Sequence, residues 1–298
     1  ESPVERVRVM LFDISDFIVR EKELTEQNRK MAGIARQVEK TNALLEIQKE
    51  EINQQKRTIE AEKEKSDQLL LNILPNEVAR QLKSKGKAGT REYKQVSVLF
   101  TDFKSFSTIS KELNPNELVG TLDAYFARFD EIAMSHYLEK IKTIGDSYMC
   151  AGGLPLSNRS NPIDAVLAGL EMQHYVQSLH PAMRAAEKTL WELRIGIHTG
   201  PVIAGVIGKK RFAYDIWGDT VNIASRMEQS GQTAMVNISG TTYELIREYF
   251  ICDYRGKVET KNMGKIEMYF VKSLKPEYAL DASGILPNDL MISLVNKL

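Results

Sequence analysis

The sequence has 298 residues, of which 43% are hydrophobic, 40 are basic and 40 are acidic, so its formal net charge is zero. There is enough apolar material for a core of ordinary size, and the balanced charge excludes general nucleic-acid binding, which requires a basic surplus. Two cysteines, Cys150 and Cys252, are too few for a disulfide framework and are typical of reduced thiols. No run approaches the roughly 20 apolar residues of a membrane-spanning helix. We expect a cytoplasmic protein, or the cytoplasmic part of a larger or membrane-bound receptor, with no membrane contact through this chain.

In the first segment, Val7–Ile14, the alternation of side-chain character along the chain predicts a β-strand. A single strand cannot form a domain by itself, because its backbone needs a pairing partner. The segment resembles the final strand of a PAS-type sensor domain, which passes directly into a helix. We therefore expect residues 1–19 to be the end of an upstream sensor domain.

The next segment carries a seven-residue apolar repeat that predicts a coiled-coil helix over residues 20–74. The repeat consists of Leu24, Met31, Val38, Leu45, Ile52 and Ile59. The position three residues after each of these is polar except at Ile34, so the isolated coil should be weak. The segment is either a poorly packed connector or a helix pair whose register a signal can shift.

Residues 75–92 are typical of a linker between a regulatory segment and the domain that it regulates. Pro75 ends the long helix, a short amphipathic helix follows, and Gly86 and Gly89 interrupt the chain after it. We expect this segment to link the coil to a globular domain.

Residues 93–275 predict one globular domain of mixed α/β class with hairpins, rather than a doubly wound parallel sheet. Asn114, Pro115 and Glu117 form the capping pattern of a helix start, and Gly145-Asp146 is typical of a hairpin turn. We predict strands at 95–103, 193–200, 250–257 and 266–271, helices at 114–136, 162–179 and 217–230, a hairpin at 140–149, and a strand followed by a helix at 237–246. No structure is predicted for the tail, 276–298.

Two carboxylates end predicted strands or turns, Asp102 in VLFTDF and Asp146 in TIGDSY. If their strands are neighbours, both carboxylates converge at one end of the sheet. Such hard oxygen ligands suit Mg²⁺ or Mn²⁺ bound together with substrate phosphates. The alternative is that each aspartate only caps its own strand.

A second cluster lies in the segment YDIWGDTVNIASRM. Asn222 and Arg226 are four residues apart on one helical face, where Arg226 can brace phosphate oxygens and Asn222 can orient a sugar or ring oxygen. Alternatively, Arg226 pairs with an acidic neighbour such as Glu228. His198 is expected to be a packed strand-end residue. The sequence contains no P-loop, Rossmann glycine motif, zinc-binding H-E-x-x-H or nucleophile elbow.

Four motifs in this order and spacing closely resemble the catalytic domain of class III nucleotidyl cyclases. They are VLFTDFKSFS, KIKTIGDSYM, LRIGIHTGPVIAGVIG and YDIWGDTVNIASRM. The preceding LLLNILPNEVARQLK resembles the transducing segment that joins a signalling helix to this domain. The resemblance implies a ferredoxin-like α/β (α+β) fold, working as a head-to-tail homodimer with its active sites between subunits.

The resemblance also implies residue roles. Asp102 and Asp146, with the backbone carbonyl of Phe103, would bind two Mg²⁺ or Mn²⁺ ions per site, as in two-metal in-line displacement. Asn222 and Arg226 would stabilise the transition state.

Three further residues match family positions that contact the nucleotide. Lys261 matches the phosphate-binding lysine, although its surroundings lack the usual glycines, and Lys142 and Asp215 match the two base-selecting positions. Lysine only donates and ionised aspartate only accepts hydrogen bonds, which complements N1 and the 6-amino group of adenine. The resulting hypothesis is an adenylate cyclase, a phosphorus–oxygen lyase that uses ATP and is regulated through the coil. A guanylyl cyclase and an inactive regulatory subunit are the alternatives.

Overall fold

The computed structural model describes residues 3–71, 73–208, 212–260 and 264–298, with the backbone alone for residues 3–15 and Thr260. The helices are α1 (Pro3–Leu71), α2 (Asn76–Lys85), α3 (Phe106–Glu112), α4 (Pro115–Ser135), α5 (Asn161–Ala185), α6 (Asp219–Gln229), α7 (Gly240–Ile246), α8 (Asp289–Val295) and a 3₁₀ turn (Pro276–Tyr278). The strands are β1 (Arg91–Phe103), β2 (Leu138–Ile144), β3 (Ser147–Gly152), β4 (Leu193–Ile207), β5 (Ala213–Trp217), β6 (Val236–Ser239), β7 (Phe250–Thr260) and β8 (Gly264–Leu274). The chain divides into two compact units, with the boundary between Leu70 and Leu71. The finer domain limits derived from the sequence stay predictions.

The N-terminal unit is a single long helix, so the strand predicted at Val7–Ile14 is wrong. Val7, Leu11 and Ile14 also fit the three- and four-residue spacing of a helix, which satisfies its own backbone hydrogen bonds without a partner strand. The sequence positions Met10 and Phe17 continue the seven-residue repeat upstream. The assignment of residues 1–19 to a sensor domain stays a prediction.

The apolar repeat of α1 lies exposed on the helix. Its members from Leu24 to Ile59 are between 51% and 66% exposed. Apolar side chains at this spacing gain stability only when a second helix covers them, since burial rather than propensity stabilises such helices. The coiled coil therefore stays a prediction. None of the described helices contains a stretch apolar enough to cross a membrane.

The second unit is built on one sheet, in which the strand order of the described residues is β2-β3-β1-β4-β6-β8-β7, with β5 paired to the far half of β4. The pair β4–β6 is parallel and the other described strand pairs are antiparallel. The sheet confirms the mixed α/β class. It also places the end of β1 beside the β2–β3 turn on one side and beside the start of β4 on the other.

Helices α5 and α6 lie on opposite faces of this sheet. Gly169 of α5 faces Ile197, whereas a side chain at Gly196, the adjacent residue of β4, would meet the backbone nitrogen of Glu228 at 1.9 Å. Successive strand residues point to opposite faces, so α6 rests directly on the bare backbone of β4. This close approach explains the first glycine of the IGIHTG segment.

Several local predictions are confirmed. The Asn114 side chain accepts a hydrogen bond from the Glu117 amide at the start of α4, and Gly86 ends α2 in a left-handed conformation with φ 68°. The predicted strands and helices of 93–275 form, with shifted ends. The tail folds into the 3₁₀ turn and α8, because Met291 is completely buried against the core.

Candidate active site

Asp102 and Asp146 come together at one end of the sheet. Asp102 is the penultimate residue of β1, and Asp146 lies in the turn between β2 and β3, the strand that pairs with β1. The Phe103 amide donates to Asp146 Oδ2 at 3.3 Å, and the Ser147 hydroxyl donates to Asp102 Oδ1 at 3.0 Å. The structure thus gives the two carboxylates a shared setting, which simple strand capping does not require.

The Phe103 side chain anchors the end of β1 in the hydrophobic core. Its side chain is buried, and its ring centroid lies 5.0 Å from those of both Tyr125 and Trp191. Aromatic contacts of this kind add to the burial of apolar area. The aspartate that precedes Phe103 is therefore held on a rigid support.

The electrostatics of the pair favour a cation. Burial, together with the negative charge of Asp102, raises the pKa of Asp146. No group of three or more acidic, histidine or cysteine side chains that could hold a metal occurs among the described residues. The carboxylates of Asp102 and Asp146 instead offer hard oxygen donors of the kind that Mg²⁺ prefers when phosphates complete its coordination. The residues present fit the predicted metal.

Two residues of this site were not recognised in the sequence, Arg194 and Glu228. The Arg194 guanidinium contacts Asp102 Oδ2 through one terminal nitrogen, and its Nε lies 2.9 Å from Glu228 Oε1. Burial raises the pKa of Glu228 to about 7, against the opposing effect of Arg194. Arg194 pairs in register with Asp102 across β1 and β4, a relation that becomes visible only once the strand pairing is known.

Lys142 and Asp215, the two residues expected from the sequence to contact the base, contact each other in the structure. Lys142 Nζ lies 2.6 Å from Asp215 Oδ2, although the residues belong to β2 and β5 and are 73 positions apart. The Asp215 side chain is 15% exposed and that of Lys142 is 41% exposed, so the pair is open to a ligand from one side. The second oxygen of Asp215 accepts from the Ile216 amide, which fixes its orientation.

Asn222 and Arg226 lie on α6, four residues apart. Arg226 contacts the Gln229 side chain, and no described hydrogen bond or ion pair joins either residue to Asp102 or Asp146. The alternative pairing of Arg226 with Glu228 is wrong, because the Glu228 side chain lies on the buried face of α6, against Arg194. Lys261 lies outside the described residues.

His198 is buried, and its Nδ1 lies 2.7 Å from the Ser239 hydroxyl on β6. The expectation that it packs within the sheet is confirmed, although it lies inside β4 rather than at a strand end. Burial lowers its pKa to about 4. A neutral, buried imidazole of this kind belongs to the core.

Comparison with known proteins gives a consistent assignment for the second unit. The family model described as adenylate and guanylate cyclase catalytic domain matches residues 89–273. The guanylate cyclase soluble subunit beta-2 of Rattus norvegicus is 36% identical over 228 residues, which is 76% of this chain and 33% of that protein. An adenylate cyclase of Mycobacterium bovis is 35% identical over 214 residues, which is 72% of this chain and 47% of that protein.

The chain thus spans between a third and a half of the length of these relatives. Among solved structures, the adenylyl cyclase CyaB from P. aeruginosa matches with a TM-score of 0.60 and 30% identity, over 63% of this chain and 98% of that one. The similar proteins include cyclases of both nucleotides.

Proposed function

This chain belongs to the family of adenylate and guanylate cyclase catalytic domains, and we propose that it is an adenylyl cyclase that converts ATP to 3′,5′-cyclic AMP and pyrophosphate. The observation that carries the choice of ATP is the contact between Lys142 and Asp215. Two residues far apart in the sequence present one donor and one acceptor side by side.

The hydrogen-bonding pattern of this pair complements adenine. Adenine offers an acceptor at N1 to Lys142 and a donor at its 6-amino group to Asp215. Guanine offers a donor at N1 and an acceptor at O6, so it would leave the lysine facing a donor and the aspartate facing an acceptor. An unsatisfied buried polar group costs about 1–3 kcal/mol, which corresponds to about tenfold to hundredfold discrimination.

We assign Asp102, Asp146 and the Phe103 carbonyl to two Mg²⁺ or Mn²⁺ ions per site. When bound, such ions offset the charge of the triphosphate and lower the pKa of the ribose 3′-hydroxyl. The 3′-oxygen attacks the α-phosphorus in line as the bond to pyrophosphate breaks. Arg226 donates to phosphate oxygens as charge develops there, and Asn222 holds the ribose in place.

The two groups of residues serve different active sites in this proposal. Asn222 and Arg226 do not contact the carboxylates of their own chain, so a second copy, arranged head to tail, supplies them. Lys142, Asp215 and Lys261 accompany them, with Lys261 on the triphosphate. A homodimer of this kind builds two complete sites, whereas a monomer builds none.

The exposed apolar repeat of α1 supports a coiled coil with the second copy. Residues 75–92 then transmit the state of an upstream sensor domain to the catalytic pair. Two free cysteines and a nucleotide substrate fit a cytoplasmic location.

The decisive experiment measures cyclic nucleotide formation from ATP and from GTP, each with Mg²⁺ and with Mn²⁺. We expect cyclic AMP from the intact chain and none from Asp102→Asn, which serves as the control for contaminating cyclases. A preference for GTP would identify a guanylyl cyclase, which the rat relative's name suggests. Absence of product from both nucleotides would favour an inactive regulatory subunit.

A further inference from the structure

Arg194 lies between two carboxylates that belong to different elements. On one side it contacts Asp102 at the end of β1, and on the other it approaches Glu228 in the last turn of α6. The side chains of all three are largely withdrawn from water, with exposures of 27%, 20% and 7% for Arg194, Asp102 and Glu228. One guanidinium therefore lies between two largely buried carboxyl groups.

The two contacts of Arg194 are not equivalent. The one to Asp102 is a direct hydrogen bond. The one to Glu228 brings Arg194 Nε within 2.9 Å of Glu228 Oε1, yet neither of these buried atoms has an aligned hydrogen bond. A small rotation of the guanidinium toward Glu228 would therefore gain a hydrogen bond that the present orientation lacks.

A divalent cation on Asp102 would compete with Arg194 for the same carboxylate. The positive charges of the metal and of Arg194 would repel each other at Asp102, and a largely buried guanidinium is destabilised when it loses a carboxylate partner. Arg194 thus needs a second acceptor within reach if Asp102 is to accept a metal at low cost. Glu228 is that acceptor among the described residues.

We propose that Glu228 is a positioning residue for the metal site, which binds the Arg194 guanidinium when Asp102 binds a divalent cation. This rests on the proposed function, because it takes Asp102 as a metal ligand. Since Glu228 lies two residues after Arg226, the same ion pair also fixes α6 against β4. Glu228 touches neither the substrate nor the metal in this proposal.

The test measures Mn²⁺ binding to the full chain without nucleotide, by electron paramagnetic resonance of the free ion at pH 8.5. In Glu228→Gln, Arg194 has Asp102 as its only anionic partner, so we expect the Mn²⁺ dissociation constant to rise by about tenfold, which corresponds to 1.4 kcal/mol. Asp219→Asn is the matched control, because it removes an exposed acid from the first turn of the same helix. Its Mn²⁺ affinity should equal that of the wild type.

A double-mutant cycle separates positioning from a general loss of negative charge. If Glu228 acts through Arg194, Glu228→Gln has no effect on Mn²⁺ affinity in an Arg194→Gln background. An equal loss of affinity in both backgrounds, or unchanged affinity in Glu228→Gln alone, would overturn the proposal. Thermal unfolding verifies that each variant is folded, and Arg194→Met replaces Arg194→Gln if the latter does not fold.

Asp102→Asn distinguishes failure of this inference from failure of the proposed function. We expect this variant to lose the Mn²⁺ binding being measured. If it binds Mn²⁺ as the wild type does, both the metal assignment and the role of Glu228 are wrong. If it loses binding while Glu228→Gln does not weaken it, only the role of Glu228 is wrong.

Discussion

At the scale of single residues, the proposed function assigns the choice of base to the contact between Lys142 and Asp215. In Lys142→Glu/Asp215→Ser, the glutamate accepts from N1 of guanine and the serine donates to its O6. We expect the ratio of kcat/KM for ATP over GTP to fall by at least about a hundredfold, since two matched hydrogen bonds of about 1.4 kcal/mol each are reversed. Steady-state kinetics with both nucleotides measure this ratio.

Lys140→Glu is the control for this change. Lys140 lies two residues earlier in β2 and pairs with Asp130 of α4 at 2.8 Å, so it carries the same charge without facing Asp215. Its ATP preference should equal that of the wild type. An unchanged ATP preference in the double variant would contradict the role given to Lys142 and Asp215.

Asp146 supports a second prediction at this scale, in which activity and stability move in different directions. Asp146→Asn should lower kcat by at least about a hundredfold, or about 2.7 kcal/mol of barrier, because it removes a metal-binding charge. Its raised pKa means that ionisation of Asp146 is less favourable in the native state than in the unfolded state and so opposes folding. Without divalent cation, the variant should therefore unfold at a temperature equal to or above that of the wild type.

Cyclase assays and calorimetry in EDTA check the two halves of this prediction separately. Asp123→Asn, which changes an exposed acid of α4, should alter neither quantity. Activity retained by Asp146→Asn in Mn²⁺ would contradict the metal assignment.

The sequence indicated some of these residues and missed others for a physical reason. Asp102 and Asp146 stand at a strand end and in a glycine turn, local positions that sequence patterns locate. Arg194 and Glu228 gain their meaning only from the register of β1 against β4 and from the packing of α6. Contacts between separate elements are not encoded in local spacing.

At the scale of elements, His198 connects the middle of β4 to β6 and makes the sheet sensitive to acid. Burial lowers its pKa to about 4, below the unfolded value of about 6.5. The native state therefore binds fewer protons, and the stability contributed by neutral His198 is present above about pH 6.5 and lost as the pH falls toward 4. The loss amounts to about 3 kcal/mol for a shift of this size.

Urea unfolding at pH 7.5 and at pH 4.5 measures this effect in the wild type and in His198→Asn. Because other groups titrate over the same range, the prediction concerns the difference between the two proteins: the variant should lose less stability on acidification. His174→Asn, which changes an exposed histidine of α5, should behave as the wild type does. Equal acid sensitivity in His198→Asn would contradict the role of His198.

The helices and strands between residues 93 and 275 were predicted from the sequence better than the structure at the two ends of the chain. The strong capping pattern at Asn114 and the repeat of α1 are local signals, and both predicted helices form. The segment at Val7–Ile14 failed because a short apolar run fits both a strand and a helix. The tail could not be predicted, since α8 depends on the burial of Met291 against residues distant in sequence.

At the scale of the whole molecule, the proposed sharing of each active site between two chains predicts how defective chains complement each other. Asp102→Ala disables the metal half of a site and Arg226→Ala disables the transition-state half, so each homodimer should be inactive. In a mixed dimer of a symmetric head-to-tail pair, both defects fall in one site and leave the other intact. Equal co-expression should therefore restore about a quarter of wild-type activity, because half of the dimers are mixed and each has one working site.

The matched control combines Asp102→Ala with Asp146→Ala. These substitutions both affect the metal half, so each of the two sites in a mixed dimer keeps one defect and no activity should return. Activity is measured as cyclic AMP formed per milligram of total dimer in the co-expressed mixture. Mixed dimers isolated with a different tag on each chain should show about half of wild-type activity, because each has one working site of two. Equal activity in the two mixtures, or none in either, would show that the sites are not shared between subunits.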